Sequence, residues 1–244
     1  MSKPAPPIVL VTGASRGLGR ATALSFARLG ASLLLCARGQ AQLDAVAAAA
    51  QALGGTVVTL AADLRLPRDI ERLAALAFDR FGAVDVLVNN ASELGPTPLP
   101  RLADYPTDAF ADVLRVNVEA PFRLTQAIVG RMLAREHGTI INISSDVAVN
   151  GYSGWGAYAV SKAAIDSLTR TWGAELEGTG VRIYSIDPGD MDTAMHRAAL
   201  PEDDPAALLR PEAVAPALVR LATGDVAPSG TRVLASTLLD GAAA

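Results

Sequence analysis

Residues Ile8–Gly19 read IVLVTGASRGLG, a run of apolar residues followed by a turn that holds three glycines. This order, with a helical stretch after it, indicates a strand that turns sharply into a helix. Glycine lets the backbone approach a pyrophosphate closely, and the amides that begin the helix stabilise its charge. The segment therefore predicts a dinucleotide-binding turn. A strand-to-helix turn without a ligand is the alternative.

The same alternation of short apolar runs and longer amphipathic stretches continues along the chain. It predicts strands at Ile8–Thr12, Ser32–Cys36, Thr56–Leu60, Val84–Val88, Thr139–Ile143, Val181–Ile186 and Thr231–Ala235. It predicts helices at residues 18–29, 40–53, 67–81, 107–135, 157–177 and 208–223. The proline-containing stretches Ser92–Pro106 and Pro201–Pro211 are predicted to be irregular. We expect an α/β, doubly wound Rossmann-type sandwich: a single domain over residues 1–244, with a central seven-stranded parallel sheet flanked by helices.

Composition narrows the classes of function. Half of the 244 residues are apolar, which is enough for one large core, and the formal net charge of -4 provides no basic surface for a nucleic acid. The N-terminal apolar run is too short for a signal peptide or a membrane span, so we expect a cytoplasmic protein with no membrane partner. Cys36 is the single cysteine, and neither His137 nor His196 has a partner at metal-ligand spacing. We predict a small-molecule substrate and no metal.

The residues after the second strand favour one nicotinamide cofactor over the other. An acidic residue at this place would bind the ribose hydroxyls of NAD, but no carboxylate occurs before Asp44. Arg38 lies there instead, and Arg16 lies in the glycine turn. Two guanidinium groups suit a 2′-phosphate, so the pattern favours NADP(H) over NAD(H). Either arginine alone is equally typical of a solvated surface.

Tyr158 and Lys162 lie one helical turn apart, and Lys162 is one of only two lysines in an arginine-rich chain. A cation a few ångströms from a phenol lowers its pKa, although burial opposes the effect. We therefore expect Lys162 to bring the pKa of Tyr158 toward neutrality, so that the phenol can exchange a proton with a substrate oxygen. A surface pair at helical spacing is the alternative.

In this order the motifs resemble those of the short-chain dehydrogenase/reductase family, in its compact single-domain branch. The matching segments are Thr12–Gly19, Asn89–Ala91, Tyr158–Lys162, and Pro188–Gly189 with Thr193. The resemblance implies an NADP(H)-dependent carbonyl reductase, or the reverse alcohol dehydrogenase, with Tyr158 as general acid/base. It also implies that Ser145 binds the substrate oxygen and that Asn117 holds a water against Lys162. The predicted cofactor-binding residues are Gly13, Ser15, Arg16, Gly17, Leu18, Gly19, Arg38, Asp63, Leu64, Asn89, Ala91, Tyr158, Lys162, Pro188, Gly189, Met191 and Thr193.

The sequence indicates the substrate-binding residues less clearly than the cofactor-binding ones. Tyr152 and Trp155 are candidates for an aromatic wall, and His196 lies in the segment that resembles the family's lid, between Thr193 and Arg210. Acyl thioesters, pterins, sugars, steroid-like ketones and xenobiotic aldehydes all stay open as substrates. A non-catalytic NADP(H)-binding sensor or scaffold is the alternative function, because a fold alone does not guarantee chemistry.

Three departures from the family pattern stand out. Ser92 replaces a usual glycine, Asp187 replaces a common asparagine, and the last strand is not followed by Asp-Gly-Gly. The chain ends instead in Asp240-Gly241-Ala242-Ala243-Ala244. The resemblance implies a homo-oligomer, and because the last region often builds a subunit interface, both dimer and tetramer stay open.

Overall fold

The structure is a computed structural model that describes residues 5–239. Within this range seven strands form: β1 Ile8–Thr12, β2 Ser32–Ala37, β3 Thr56–Ala61, β4 Val86–Asn89, β5 Gly138–Ile143, β6 Val181–Asp187 and β7 Arg232–Leu234. The α-helices are α1 Gly17–Ala27, α2 Gln40–Ala52, α3 Pro67–Phe81, α4 Thr107–Leu114, α5 Ala120–Ala134, α6 Gly156–Glu175, α7 Ala194–Ala199, α8 Pro211–Thr223 and α9 Ala235–Leu239. The terminal segment Asp240–Ala244 lies outside the described residues.

All strand pairs are parallel, and the sheet order is β3-β2-β1-β4-β5-β6-β7. Adjacent side chains on a strand point to opposite faces, so Leu33 and Leu35 pack with Phe26 of α1 while Leu34 packs with Leu73 of α3. Both faces of the sheet are therefore buried, which is why the strands read as continuous apolar runs. The predicted fold class is confirmed.

The predicted helix 107–135 differs from expectation at its middle. It contains a π-helical turn, Arg115–Glu119, between α4 and α5. A π turn adds one residue to a single turn of the helix, and this single short turn was not identified from the apolar spacing. Asn117 lies within this turn.

The remaining differences lie at element ends and in short helices. Strand β4 begins two residues later than predicted, although the Asp85 backbone still hydrogen-bonds to Ile8 and Thr139; the Asp85 carboxylate also accepts from the Ile8 amide at 2.9 Å. Ala235, predicted in the last strand, begins α9. Helix α7 and three single 3₁₀ turns, Leu102–Asp104, Asp146–Ala148 and Pro205–Ala207, are too short for periodicity to detect.

Candidate active site

A cleft of about 990 Å³ opens along the carboxyl edge of the sheet. This is the edge where open α/β sheets bind ligands, and the volume suits a large organic molecule. Segments from every predicted motif meet here. The lining residues include Gly13, Ser15, Arg16, Gly17, Leu18, Arg38, Asp63, Leu64, Ala91, Ser145, Tyr152, Trp155, Tyr158, Lys162, Pro188, Gly189, Met191, Thr193 and His196.

The glycine turn lies at one side of this cleft and is packed to its limit. Gly13 has φ +65°, and a Cβ added there would lie 2.8 Å from the Ala91 Cα. A Cβ on Gly19 would lie 2.4 Å from the Gly13 carbonyl oxygen, so Gly19 supports the turn from behind and does not line the cleft. Helix α1 begins at Gly17 without a side-chain cap. Its first amides are therefore available to an anion.

The two adjacent asparagines after β4 have separate roles. Asn90 lines the cleft, and its Nδ2 donates to the Thr12 and Gly13 carbonyl oxygens at 2.9 and 3.2 Å, which holds the glycine turn in place. Asn89 points away from the cleft, and its Nδ2 donates to Asn142 Oδ1 at 2.8 Å. The prediction of Asn89 as a cofactor contact is wrong for its side chain. Successive side chains of an extended strand alternate, so the adjacent residue is the one that faces the site.

Arg38 and Arg16 both line the cleft, but Arg38 has a partner that the sequence did not indicate. Arg38 Nη1 lies 3.6 Å from Glu93 Oε2, and Glu93 lines the cleft after β4. This ion pair joins the loops that follow β2 and β4 and spans the mouth of the cleft over β1. An anion that binds Arg38 must therefore compete with Glu93.

Asp63, predicted to accept a hydrogen bond from adenine, is engaged by a neighbour. The Arg65 guanidinium donates to both of its carboxylate oxygens, with Nη2 to Oδ2 at 2.7 Å. These hydrogen bonds from Arg65 hold the pKa of Asp63 below its usual value. The carboxylate keeps further acceptor capacity toward the cleft.

Ser145, Tyr158 and Lys162 meet at the centre of the cleft, where β5 ends and α6 begins. Lys162 is 3% exposed, and its Nζ donates to the Ile143 carbonyl oxygen at 2.7 Å. The same Nζ lies 5.2 Å from the centre of the Tyr158 ring. Ser145 Oγ donates to Asp146 Oδ1 at 3.0 Å. One acidic, one basic and one hydrogen-bonding side chain thus border the same space.

The expected pKa shift of Tyr158 is wrong in direction. Burial raises the pKa of Tyr158 above its ordinary value, with the Asp187 and Asp146 charges adding to the rise and the neighbouring Ser92 hydroxyl opposing it. Lys162 does not reverse this, because burial also lowers its own pKa to about 8 and its amine bonds Ile143 instead of the phenol. Desolvation therefore exceeds the attraction between the pair. The phenol is fully protonated at neutral pH.

Asn117 lies behind the cleft and its side chain is occupied. Its Oδ1 accepts from the Glu93 amide at 2.7 Å, and its Nδ2 donates to the Glu93 carbonyl oxygen and to Ser161 Oγ, both at 2.9 Å. The carboxamide therefore joins the loop after β4 to α6. Asn117 is not among the residues that line the cleft.

The three predicted substrate-lining residues, Tyr152, Trp155 and His196, all line the cleft. The Tyr152 hydroxyl donates to Asp146 Oδ2 at 2.9 Å, and the Trp155 ring centre lies 5.7 Å from that of Tyr158. His196, on α7, lies with Nε2 2.8 Å from Asp203 Oδ2. Tyr152 and Trp155 thus give the cleft an aromatic part of its lining, and His196 gives it a polar part.

The loop after β6 forms the floor beside the glycine turn. Asp187 Oδ1 accepts a hydrogen bond from the Gly189 amide at 3.0 Å, which fixes the turn at Pro188. Thr193 Oγ1 caps α7 by accepting from the His196 amide at 3.1 Å. Met191 pairs with Leu209 in an isolated bridge. The predicted residues of this loop all line the cleft.

Two features are absent from the described residues, 5–239. No group of three or more His, Cys, Asp or Glu side chains is placed to hold a metal ion there. In the same range, every helix is too short or too polar to span a bilayer.

The family model and the related sequences that match this chain point to the same family. A family model described as short chain dehydrogenase matches residues 7–204. The 3-oxoacyl-(acyl-carrier-protein) reductase of Thermotoga maritima is 34% identical over 188 residues, which are 77% of this chain and 75% of the relative.

Solved structures agree over nearly the whole chain. A candidate short chain dehydrogenase from Pseudomonas syringae has a TM-score of 0.88 at 35% identity, and the match covers 96% of this chain and 98% of the other. A protein from Shigella flexneri 2a complexed with NADP has a TM-score of 0.86 at 31% identity, with 94% and 97% covered. An NAD⁺-bound xylitol dehydrogenase has a TM-score of 0.85 at 25% identity, with 96% and 98% covered.

Proposed function

This chain belongs to the short-chain dehydrogenase family of oxidoreductases, and on that premise we propose that it is an NADP(H)-dependent carbonyl reductase, or the reverse alcohol dehydrogenase. One observation carries the proposal. Tyr158, Lys162 and Ser145 border the same cleft as the glycine turn at Gly13, so a proton donor and a dinucleotide would meet there. The proposed substrate is a small molecule with a ketone, aldehyde or alcohol group.

The residues of the cleft fit a nicotinamide dinucleotide. Gly13 and Gly19 leave no room for a Cβ in the glycine turn, and the uncapped start of α1 suits a pyrophosphate. Arg16 and Arg38 would hold a 2′-phosphate, and the loop from Pro188 to Thr193 would hold the nicotinamide end. When bound, the cofactor supplies or accepts a hydride. The NADP complex of the Shigella protein supports the proposed preference, while the NAD⁺-bound xylitol dehydrogenase shows that this fold also takes the other cofactor.

In the reductive direction, side chains of this protein would transfer one proton and stabilise the charges that develop. Tyr158 is protonated at neutral pH and would donate its proton to the carbonyl oxygen as the carbon receives hydride. Ser145 would donate a hydrogen bond to the same oxygen while negative charge develops on it. The Lys162 cation would then stabilise the phenolate that remains. Oxidation of an alcohol would reverse each transfer.

The proposal is tested by binding and turnover together. The purified chain is titrated with NADPH and NADH, then mixed with a panel of ketones and aldehydes while NADPH oxidation is followed by absorbance. Saturable NADPH binding with turnover of at least one carbonyl compound supports the proposal. Binding without turnover across the panel would instead favour a cofactor-binding sensor.

Assembly and location are part of the same proposal. Membership of the family supports a cytoplasmic homo-oligomer. Light scattering of the purified chain should give the mass of a dimer or tetramer, and a monomer mass at all concentrations would contradict it.

The ion pair at the cleft mouth gives a prediction about cofactor preference. Arg38→Ala removes charge-assisted hydrogen bonds, each worth about 1.5–3 kcal/mol, and should weaken NADPH binding about 10- to 100-fold with little effect on NADH. Glu93→Gln removes the competing carboxylate. It should tighten NADPH binding about two- to fivefold, since a partly exposed pair is worth about 1 kcal/mol or less.

Calorimetric titration of both cofactors measures these effects, and Arg101→Ala, at an exposed residue outside the cleft, is the control. Equal losses for NADPH and NADH in Arg38→Ala would contradict the assignment of Arg38 to the 2′-phosphate.

The lowered pKa of Lys162 predicts a pH limit. The amine is cationic below about pH 8 and loses its charge above it. Because the cation stabilises the phenolate left by proton donation, kcat/KM for carbonyl reduction should be level near neutrality and fall above about pH 8. The profile is measured with the best substrate of the panel. A rate that rises steadily across this range would exclude a need for the Lys162 cation.

A further inference from the structure

Three charged side chains from three elements meet behind the catalytic residues. They are Asp166 of α6, Asp187 at the end of β6 and Arg232 of β7. The two aspartates are 4% and 7% exposed, and none of the three lines the cleft. Burying an ionised carboxylate is costly unless a cation or hydrogen bonds compensate it. Two such groups side by side therefore require an explanation.

Arg232 connects this group to the catalytic strand ends. Its Nη2 donates to Asp187 Oδ2 at 2.6 Å and to the Ser145 carbonyl oxygen at 3.1 Å. The second oxygen of Asp187 accepts from the Gly189 amide at 3.0 Å. One guanidinium thus holds the backbone of Ser145 against the loop that borders the cleft.

Asp166 connects the same group to Lys162. It lies one helical turn after Lys162, and its Oδ2 is 3.4 Å from Arg232 Nε. Within the described residues, neither oxygen of Asp166 accepts a hydrogen bond. Its charge therefore acts through space, on Arg232 at one side and on the Lys162 amine at the other. Burial lowers the pKa of Lys162 and the Asp166 charge opposes that change.

We propose that Asp166, Asp187 and Arg232 form a buried ion cluster that positions the Ser145 backbone and acts electrostatically on the Lys162 amine, one helical turn from Asp166. They are positioning residues, because they act through Ser145, Gly189 and Lys162. The cluster holds two negative charges and one positive charge, so its balance favours a cation at Lys162. With asparagine at position 187, as is common in the family, that balance would change by one charge.

Other charged and polar groups face Lys162 and Tyr158 and must be counted in any titration. On α6 these are Tyr158, Lys162 and Asp166, and the segment after β5 adds Ser145 and Asp146. The loop after β4 adds Ser92 and β6 adds Asp187, both beside Tyr158. Arg232 of β7 lies next to this group, where it bonds the Ser145 carbonyl oxygen and pairs with Asp166 and Asp187. Of these, only the three cluster residues can be altered in charge without changing a side chain that lines the cleft.

The chain is well suited to a direct measurement, because Lys3 and Lys162 are its only lysines. Lysine labelled with carbon-13 at the ε carbon gives two side-chain NMR signals, and Lys162→Arg assigns them. The cofactor-free chain is titrated, so the result does not depend on the proposed function. Lys162 should titrate near 8, below the ordinary lysine value of about 10.4.

The charge variants should move the Lys162 midpoint in opposite directions. Asp166→Asn removes a negative charge and should lower the midpoint by about one pH unit, whereas Arg232→Gln removes a positive charge and should raise it by about as much. The double variant should return close to the wild-type midpoint. Arg232→Lys keeps the charge and should leave the midpoint nearly unchanged. Lys3 should not respond in any variant.

A purely structural role gives a different result. Loss of packing alone would shift the midpoint in the same direction in Asp166→Asn and Arg232→Gln, or not at all, and either outcome in a folded chain would overturn the proposal. If Arg232→Gln does not fold, Asp187→Asn takes its place and should lower the midpoint as Asp166→Asn does. An unchanged or raised midpoint in Asp187→Asn would likewise overturn it. In the proposed reaction, the alkaline limb of kcat/KM should move with the midpoint.

Discussion

Tyr158→Phe is expected to lower kcat for carbonyl reduction by about 10²- to 10⁴-fold, the range for removal of a positioned general acid. The change deletes one hydroxyl and keeps the ring that contacts Trp155. Among the described residues, the other phenol that lines the cleft is that of Tyr152, whose hydroxyl donates to Asp146 Oδ2, so we expect no side chain to substitute for Tyr158. NADPH affinity should change little.

Steady-state and single-turnover rates measure this effect, with calorimetry for the cofactor. Tyr105→Phe is the control: this tyrosine lies outside the cleft, and its hydroxyl has no hydrogen-bond partner among the described residues. Wild-type turnover in Tyr158→Phe would remove the proposed mechanism, while equal losses in both variants would point to general damage.

Gly19→Ala is expected to abolish productive cofactor binding. The new Cβ would lie 2.4 Å from both the Gly13 carbonyl oxygen and Asn90 Nδ2, so the glycine turn must move. Overpacking of this kind costs about 1–3 kcal/mol of unfolding free energy. Loss of two charge-assisted hydrogen bonds to a pyrophosphate, at about 1.5–3 kcal/mol each, should weaken NADPH binding by on the order of a hundredfold or more.

Gly130→Ala provides the matched control, since Gly130 lies within α5 and no atom is within 4 Å of its added Cβ. Alanine there should keep NADPH affinity and stabilise the chain by up to about 1 kcal/mol. Chemical denaturation and calorimetry compare the two variants. Undiminished NADPH binding in Gly19→Ala would show that the turn does not cradle the cofactor.

The fold and the place of the cleft could be predicted because they depend on periodicity and on glycine. Continuous apolar runs identify buried parallel strands, and the positive φ at Gly13 is a conformation that other residues rarely adopt. The order of strands and helices then brings Ser145 and Tyr158 to one edge of the sheet. These properties are local in the sequence, so one chain is enough to find them.

The features that the sequence did not predict depend on which way a side chain points and on how far burial removes it from water. Whether Asn89 or Asn90 faces the cleft depends on where the strand's alternation ends, and the pKa of Tyr158 depends on how much protein surrounds it. Glu93 lies 55 positions from its partner Arg38, and Arg232 lies 87 positions from Ser145, whose carbonyl oxygen it binds. Pairings of this kind carry no local signal.

The backbone and the side chain of Glu93 serve different parts of the structure. Its backbone is clamped from both sides by the Asn117 carboxamide, while its carboxylate reaches Arg38. The side chain at position 93 can therefore be exchanged without disturbing the scaffold that supports α6. Redesign of this oxidoreductase to use NADH in place of NADPH could begin at positions 38 and 93. Natural substitutions at these two positions could change the cofactor in the same way while the catalytic residues stay the same.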